Sequence, residues 1–344
     1  MPGLTTISDA YERRSLLQIG EVLRTPETAF MKNFFKLEER YATSAVDVDL
    51  VKHADKLYAY VNRFEQGQTV AKDGYTTSTF EPPYLKPKIP ITPGDLRKRI
   101  PGESLYTTSG TLQPQVSAFI AKQMVKLKDG ITRNHELQAV QAVINGEVKC
   151  YDENNELIAT LNYQRTAALQ ASGVTAWTAG KLAAIKARRR LVKSSSGYLP
   201  RVCILGIDAA DAFQDDTNVQ KAVSKDWSSR GQLGYNLQDD GFVWLGMVDG
   251  IDFYTYEEQY TDPADNTRKY MVPEKYAVLA SPDAPATRAY AAIEVMDSLE
   301  AAAMFPDVYP NPQRDPSGTI VQLHSAGLMI TNNPDAYAGF QVIA

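Results

Sequence analysis

The clearest pattern of hydrophobic positions along the chain is a helical stripe between residues 114 and 145. Apolar residues recur there at helical spacing: Val116, Ile120, Met124, Leu127, Ile131, Leu137, Val140 and Ile144. At 1.5 Å per residue, such a helix would be about 48 Å long. A compact chain of this size has a radius of about 20 Å, so the stripe predicts an elongated, plate-like body.

Residues 45–80, before this helix, have the pattern of a β-ribbon. The segment AVDVDLVK alternates, with Val46, Val48 and Leu50 on one face and Asp47, Asp49 and Val51 on the other. Strand-forming residues follow in LYAYVNRF, and EQGQ and KDGY are typical of turns. Because an isolated two-stranded ribbon is only marginally stable, we expect it to lie against the body of its own chain or against a neighbouring chain.

The rest of the chain predicts a mixture of strands and shorter helices. The six prolines of residues 81–101 favour an extended connector, since proline fixes φ and restricts the residue before it. We predict a hairpin over 146–163 and a helix over 179–193, with Thr178 as its N-cap. Strands are predicted at 201–207, at 242–256 with a turn at Asp249-Gly250, and at 269–281, 286–295, 318–330 and 338–344.

Composition and charge narrow the class of protein. The chain has 344 residues, of which 44% are hydrophobic and 22% charged, so it is globular, with a prior of about two domains. Its 36 Lys and Arg against 41 Asp and Glu leave a formal charge of −5. Proteins that coat nucleic acid usually carry a large basic excess to neutralise phosphates, which this chain lacks.

The sequence offers little material for catalysis or metal binding. His53, His135 and His324 have no ligand spacing, and Cys150 and Cys203 both lie in strand-like contexts typical of inert thiols. We therefore predict no catalytic, cofactor-binding or metal-binding residues. There is no signal peptide and no apolar run long enough to span a bilayer.

Three weaker motifs have plainer explanations. In GVTAWTAGKL six residues separate the glycines and leucine follows the lysine, so the phosphate-binding pattern is not met. Asp239 and Asp240 could hold a metal, but a solvated loop explains them better. The basic run from Lys186 to Lys193 is typical of a solvated helix face, or of a contact with acidic side chains of a neighbour, more than of a nucleic-acid site.

Four stretches resemble one family, the lambda-type tailed-phage major capsid proteins (head protein E). They are TFEPPYLKPKIPITP (79–93), ELQAVQAVINGEV (136–148), SPDAPATRAYAAIEVMDS (281–298) and the whole of residues 305–344. No single stretch is diagnostic, but they follow the family's order from about residue 30 to the end.

The resemblance implies an α+β fold of the Hong Kong-97 capsid type. Its N-terminal arm would cover residues 1–42 and its extended E-loop residues 43–80. The peripheral (P) domain would comprise residues 81–163 and 326–344 and contain the spine helix, 114–145. The axial (A) domain would cover residues 164–325.

The resemblance also implies a structural role rather than an enzymatic one. Such proteins assemble as hexamers and pentamers into an icosahedral shell around double-stranded DNA, which they enclose without sequence-specific binding. The expected location is the virion, after assembly in the host bacterial cytoplasm and with no membrane partner. A separate scaffolding protein and a portal are expected partners, and a decoration protein is a further candidate.

Contacts between copies are expected at two places, the tip of the E-loop and the tip of the A domain. The residues concerned are Arg63, Glu65, Gln66 and Lys72 in the E-loop, and Arg230, Gln232, Tyr235, Asp239 and Asp240 in the A domain. Two alternatives stay open: a bacterial nanocompartment shell of the same fold, or a two-domain enzyme with an acidic site that no motif reveals.

Overall fold

A computed structural model of the chain shows helices and strands in one mixed fold, which confirms the predicted α+β class. The residues that it describes are 28–51, 75–92, 94–95, 112–152, 156–170, 177, 180–226, 241–262, 265–293, 309–310, 313–315 and 318–343.

The long helix α2 (Leu112–Asn145) organises the fold, and it begins two residues before the predicted start. Its first half packs against the sheet that contains β4 (Lys88–Ile91) and β16 (Gly318–His324), through a core of Ile91, Ile120, Met124, Leu127, Ile131, Val321 and Leu323. Its second half packs in the largest cluster of buried apolar side chains, which we call the main core, where Val140, Val143 and Ile144 are buried. The predicted stripe therefore faces two different cores along one helix.

A five-stranded sheet separates the main core from another cluster of buried apolar side chains on its opposite face. Its strands are β7 (Val202–Leu205), β8 (Phe242–Val248), β9 (Ile251–Tyr256), β12 (Tyr276–Ala280) and β18 (Tyr337–Gln341), in the order β18-β12-β7-β9-β8. Within this sheet β7 and β9 pair in parallel, and the other neighbouring strands pair antiparallel. Because side chains alternate between faces of a strand, Ile204 faces the core with α2, whereas Cys203 and Leu205 face the opposite side.

Shorter helices cover that opposite side of the sheet. They are α3 (Lys181–Ser196), α4 (Ile207–Gln214) and α5 (Thr217–Asp226). Their buried side chains include Ile185, Val192, Phe213 and Val219, which pack with Phe253 and Phe340 of the sheet. The sheet is thus sandwiched between two helical layers.

Smaller sheets surround this centre. Strand β1 (Leu37–Arg40) lies parallel to β13 (Ala286–Tyr290), which is antiparallel to β17 (Gly327–Thr331). The sheet of β4 and β16 also includes β14 (Tyr309–Pro310) and β15 (Gln313–Asp315), and β10 (Gln259–Thr261) pairs with β11 (Arg268–Tyr270). The short helix α1 (Ala29–Asn33) precedes β1.

Two isolated strand pairs match the predicted ribbon and hairpin. The ribbon consists of β2 (Val46–Val51) and β3 (Tyr75–Phe80), paired from Val46↔Phe80 to Val51↔Tyr75. The hairpin consists of β5 (Glu147–Tyr151) and β6 (Leu157–Asn162).

Several predicted element bounds were wrong, each for a local reason. Residues 269–281 form the end of β11 and all of β12, because Pro273 cannot continue a strand ladder. Residues 318–330 divide into β16 and β17, which pair with different strands, and the strand predicted at 286–295 ends at Tyr290. Helix α3 begins after Gly180 rather than Thr178. It ends at Ser196, and Gly197, with a φ of 78°, is its C-cap.

The predicted domain boundary between residues 325 and 326 stays a prediction. Strand β18 comes from the segment assigned to the P domain, but it pairs along its length with β12 from the segment assigned to the A domain. Strand β16, assigned to the A domain, pairs with β4 of the connector. The two predicted domains therefore share sheets.

Candidate functional site

The nine residues predicted at contacts between copies lie outside the described residues. Arg63, Glu65, Gln66 and Lys72 fall between the ends of β2 and β3. Arg230, Gln232, Tyr235, Asp239 and Asp240 fall between α5 and β8. The structure therefore describes the strands and helix next to these two predicted contacts, and the exposed faces of the rest of the subunit.

The ribbon is attached to the body by one face of β2. Val46 and Val48 are buried in the main core. On the alternate face Asp47 and Thr79 are exposed, and the Thr79 hydroxyl donates a 2.6 Å hydrogen bond to Asp47 Oδ1. The base of the ribbon is thus fixed on the chain's own body, which is the support that a two-stranded ribbon needs.

A buried carboxylate holds the segment that leads into the ribbon. Glu136 on α2 accepts hydrogen bonds from the backbone N–H groups of Phe30 (2.7 Å) and Met31 (3.0 Å), at the start of α1. The Tyr256 hydroxyl donates a third, at 3.0 Å. These bonds satisfy N–H groups that a helix start leaves without intrahelical acceptors. Burial nevertheless raises the pKa of Glu136, and these hydrogen bonds oppose the rise only in part.

Residues 28–43 therefore form a strap that ties α2 to two sheets. The Phe30 ring packs at an angle against the rings of Phe242 and Tyr256 of the five-stranded sheet, at centroid distances of 5.5 and 5.3 Å. Strand β1 then pairs with β13, and the Tyr41 N–H donates to the Tyr290 carbonyl. The strap ends three residues before β2, so it sets where the ribbon leaves the body.

We predict that replacing Glu136 by Gln changes the pH dependence of stability. A carboxyl whose pKa is raised by folding binds protons more readily in the folded chain. Its contribution is therefore complete below the unfolded pKa of about 4.5 and is lost as pH rises through the folded value. The difference in unfolding free energy between wild type and Glu136→Gln should fall as pH rises, by at most about 1.4 kcal/mol per pH unit. Urea unfolding at pH values from acid to neutral measures it, and parallel curves would contradict the assignment.

A buried arginine closes the other end of α2. Arg165 Nη1 donates to the Ile144 carbonyl at 2.8 Å, and Nη2 donates to the carbonyls of Ala142 (2.8 Å) and Val143 (2.9 Å). Its Nε donates to the Pro334 carbonyl at 2.9 Å. Burial lowers the pKa of Arg165 to about 10, so the side chain stays charged at neutral pH. A cation at a helix C-terminus also complements the helix dipole.

The same junction includes the C-terminal part of the chain. Asp335 accepts hydrogen bonds from the backbone N–H and the hydroxyl of Thr166, both at 2.7 Å. Gly339 on β18 packs directly on the backbone of Ile144, where a Cβ atom would lie 2.5 Å from the carbonyl oxygen. Helix α2, the residues after the hairpin and the C-terminal strand therefore meet at one tightly packed point, which we call the C-terminal junction.

The histidines and cysteines within the described residues are packed side chains. The His324 ring lies 3.0 Å from the Tyr84 hydroxyl, and burial lowers the pKa of His324. His135 is buried beside Ser325, at 3.4 Å, while His53 lies outside the described residues. Cys150 and Cys203 are free, and burial raises the pKa of both thiols, that of Cys150 to about 11.

The described part of the chain has neither a metal-ligating cluster nor a helix that could span a membrane. No three side chains of the metal-ligating types come together among those residues. No helix among them is both long enough and apolar enough to cross a membrane.

Exposed apolar side chains concentrate at two edges of the described structure. Three lie on the hairpin, where Tyr151, Leu157 and Ile158 are 52%, 53% and 65% exposed. Two more, Val243 and Trp244, lie on the edge strand β8. Large exposed apolar groups that cluster are typical of protein contacts.

Sequence reasoning missed Glu136, Arg165 and Gly339. A signal for Glu136 was present, because it lies four residues before Val140 and so interrupts the apolar face of the helix. No local pattern marks Arg165 or Gly339, since each depends on a segment that is distant along the chain.

The chain is similar to phage capsid proteins over nearly all its length. The sequence model of the family described as phage major capsid protein E matches residues 12–342. The major capsid protein of Escherichia phage lambda is 22% identical over 341 residues, which cover 96% of this chain and 99% of that protein. That of Enterobacteria phage phi80 is 22% identical over 342 residues, with the same coverage.

Solved structures show the same fold. The putative capsid protein of a prophage of E. coli CFT073 superposes with a TM-score of 0.70 at 19% identity, covering 96% of this chain and 98% of that one. The capsid protein in the cyanophage A-1(L) asymmetric unit has a TM-score of 0.51 at 13% identity, with 94% of each chain covered. At these identities the likeness establishes the fold.

Proposed function

This chain belongs to the phage major capsid protein E family, and from that premise we propose how it builds a shell. As a member of the family it is a structural protein of the virion capsid and not an enzyme. We propose that its copies assemble as hexamers and pentamers into a closed icosahedral shell around double-stranded DNA, in the cytoplasm of the host bacterium. The family match over residues 12–342 carries this proposal.

The ribbon is proposed to reach over an adjacent copy. Its base is fixed by Val46 and Val48 on one face, while Asp47 and Thr79 on the other face are exposed. The strap, held by Glu136, fixes the direction in which it leaves the body. Arg63, Glu65, Gln66 and Lys72 would then contact the neighbour, where polar groups set register more than affinity.

The second proposed contact lies around the axis of each capsomer. Arg230, Gln232, Tyr235, Asp239 and Asp240 fall between α5 and β8, beside the edge of the five-stranded sheet. The domain division into N-terminal arm, E-loop, P domain and A domain, with the predicted boundaries, belongs to the same proposal. What supports it is the family match together with the positions of α2 and the ribbon.

The proposed partners besides the chain itself are a separate scaffolding protein, a portal and a decoration protein. A formal charge of −5 fits a wall that encloses DNA without gripping its phosphates. Nothing favours the nanocompartment alternative, since the curated relatives are phage proteins.

Electron microscopy of the purified protein, with its scaffolding protein where one is needed, tests the proposal. Wild type should form closed shells or capsomers. A deletion of residues 64–75 should leave a folded, soluble subunit with the wild-type circular dichroism spectrum, but should abolish closed shells, because the ribbon's partner is another copy. Normal shells from the deletion variant would show that the ribbon is not an intersubunit element. A wild-type protein that stays monomeric at high concentration with its scaffold would count against the shell function itself.

A further inference from the structure

The hairpin of β5 and β6 carries an apolar patch that no part of the described body covers. We define the hairpin patch as Tyr151, Leu157 and Ile158, each more than half exposed. The base of the same hairpin is anchored by Val148 and Leu161, which are buried in the main core. The exposure of the patch is therefore a property of the hairpin's outer half and not of a poorly packed element.

A β-bulge brings the three side chains of the patch together. The register passes from Cys150↔Ala159 to Tyr151↔Leu157, so that Ile158 is the additional residue. A bulge sets two residues of one strand opposite one residue of the other, and such bulges commonly redirect side chains. Here it places Leu157 and Ile158 opposite Tyr151, which concentrates apolar area on a strand pair that is otherwise polar on its outer side.

The border of the patch carries both signs of charge. Glu147 and Lys149 lie on the same face of β5 as Tyr151, at every second position. The side chains of Glu147 and Lys149 form a 2.7 Å ion pair. Thr160 and Asn162 lie opposite them on β6 and are exposed. An apolar centre with a polar, mixed-charge border is the arrangement of protein interfaces.

We propose that the hairpin patch is a contact with another copy of this chain. This inference rests on the proposed shell function. Three half-exposed side chains offer on the order of 300 Å², whereas a stable complex buries about 800 Å² on each partner. The patch is therefore too small to hold a separate partner by itself, but it suffices as one of several contacts between copies that other surfaces bring together.

The charged border favours a second copy over an unrelated protein. Glu147 and Lys149, which pair with each other within one chain, are self-complementary, because the same two residues of a second copy can exchange partners with them across the contact. A contact between identical chains requires such complementarity within one sequence. The patch and its border together thus describe a surface that is able to recognise the same protein.

Ile158→Asp tests the contact, with Leu199→Asp as its matched control. Both changes replace an exposed aliphatic side chain by a carboxylate, but Leu199 lies between α3 and β7, outside the patch and its border. Both variants should melt at the wild-type temperature as free subunits. Ile158→Asp should raise the protein concentration needed for shell assembly about tenfold or more, whereas Leu199→Asp should assemble like wild type. Equal assembly of all three proteins would overturn the inference and leave the shell function standing, which wild type tests on its own.

Chemical labelling identifies what covers the patch. In an Ile158→Cys variant, maleimide should label the new thiol rapidly in free subunits and at least about tenfold more slowly in shells made from this chain alone, with scaffold removed. Wild type, which has Cys150 and Cys203, supplies the background. Fast labelling in such shells, followed by protection only after another phage protein is added, would assign the patch to that protein and overturn the inference.

Discussion

Replacing Arg165 by Ala should destabilise the subunit by about 3–5 kcal/mol. The guanidinium donates to four carbonyl oxygens, three of them in the last turn of α2 and the fourth at Pro334. Alanine would leave these buried acceptors without the donor that they share, and it would open a cavity at the C-terminal junction. Globular proteins are stable by only about 5–15 kcal/mol, so shell assembly from this variant should fail at 37 °C through loss of folded subunit.

Urea unfolding, followed by circular dichroism, measures the loss of stability in Arg165→Ala. Two further variants show whether the loss comes from the guanidinium group at this position. Arg165→Lys should recover only part of the loss, because an ammonium group cannot reach carbonyls in several directions as a planar guanidinium does. Arg190→Ala removes an exposed arginine from α3 and should change stability by no more than about 0.5 kcal/mol. If Arg165→Ala unfolded at the wild-type urea concentration, the guanidinium would not be the cap of α2.

Replacing Gly339 by Ala should cost about 3 kcal/mol or more. The added Cβ would lie 2.5 Å from the carbonyl oxygen of Ile144 and 2.8 Å from its Cα. Both are backbone atoms of the end of α2, so no side-chain rotation can relieve the overlap. Strand β18 would have to move away from α2, which would loosen its pairing with β12.

Gly130→Ala is the matched control, and its expected effect has the opposite sign. Gly130 lies within α2, is exposed, and an added Cβ would meet nothing within 4 Å. Alanine there should stabilise the subunit by about 0.5–1 kcal/mol, since it reduces the freedom of the unfolded chain and favours helix. Thermal melting of both variants measures the change in stability that each substitution causes. A Gly339→Ala variant as stable as Gly130→Ala would show that β18 and α2 are not closely packed.

The periodicity of apolar residues along the sequence was sufficient to predict the long helix and the ribbon. The stripe from Ile120 to Ile144 predicted α2 almost to the residue, and alternation around Val46 predicted the ribbon. Both succeed because burial on one side repeats at 3.6 residues in a helix and at 2 in a strand. Prediction failed where one segment contained two elements, as at Pro273, because a continuous apolar run does not reveal which partner each strand will find.

Some of the proposed contact surfaces were predicted from the sequence, and one was not. The tips of the E-loop and A domain were predicted through the family resemblance, and their residues lie outside the described part of the chain. The hairpin patch was not predicted, although the hairpin itself was. Its exposure depends on the bulge at Ile158 and on the face of the hairpin that packs against the body.

The sequence by itself determined the α+β class, the long helix, the ribbon and the lambda-type capsid family. It did so because local periodicity and the order of similar stretches are both properties of a linear chain. Only the tertiary structure decided that Glu136 holds the strap and that Arg165 and Gly339 close the end of α2. These contacts join residues 106 and 169 positions apart, such as Glu136 with Phe30 and Arg165 with Pro334. Pairings at that separation depend on which surfaces meet when the chain folds, and no local pattern records them.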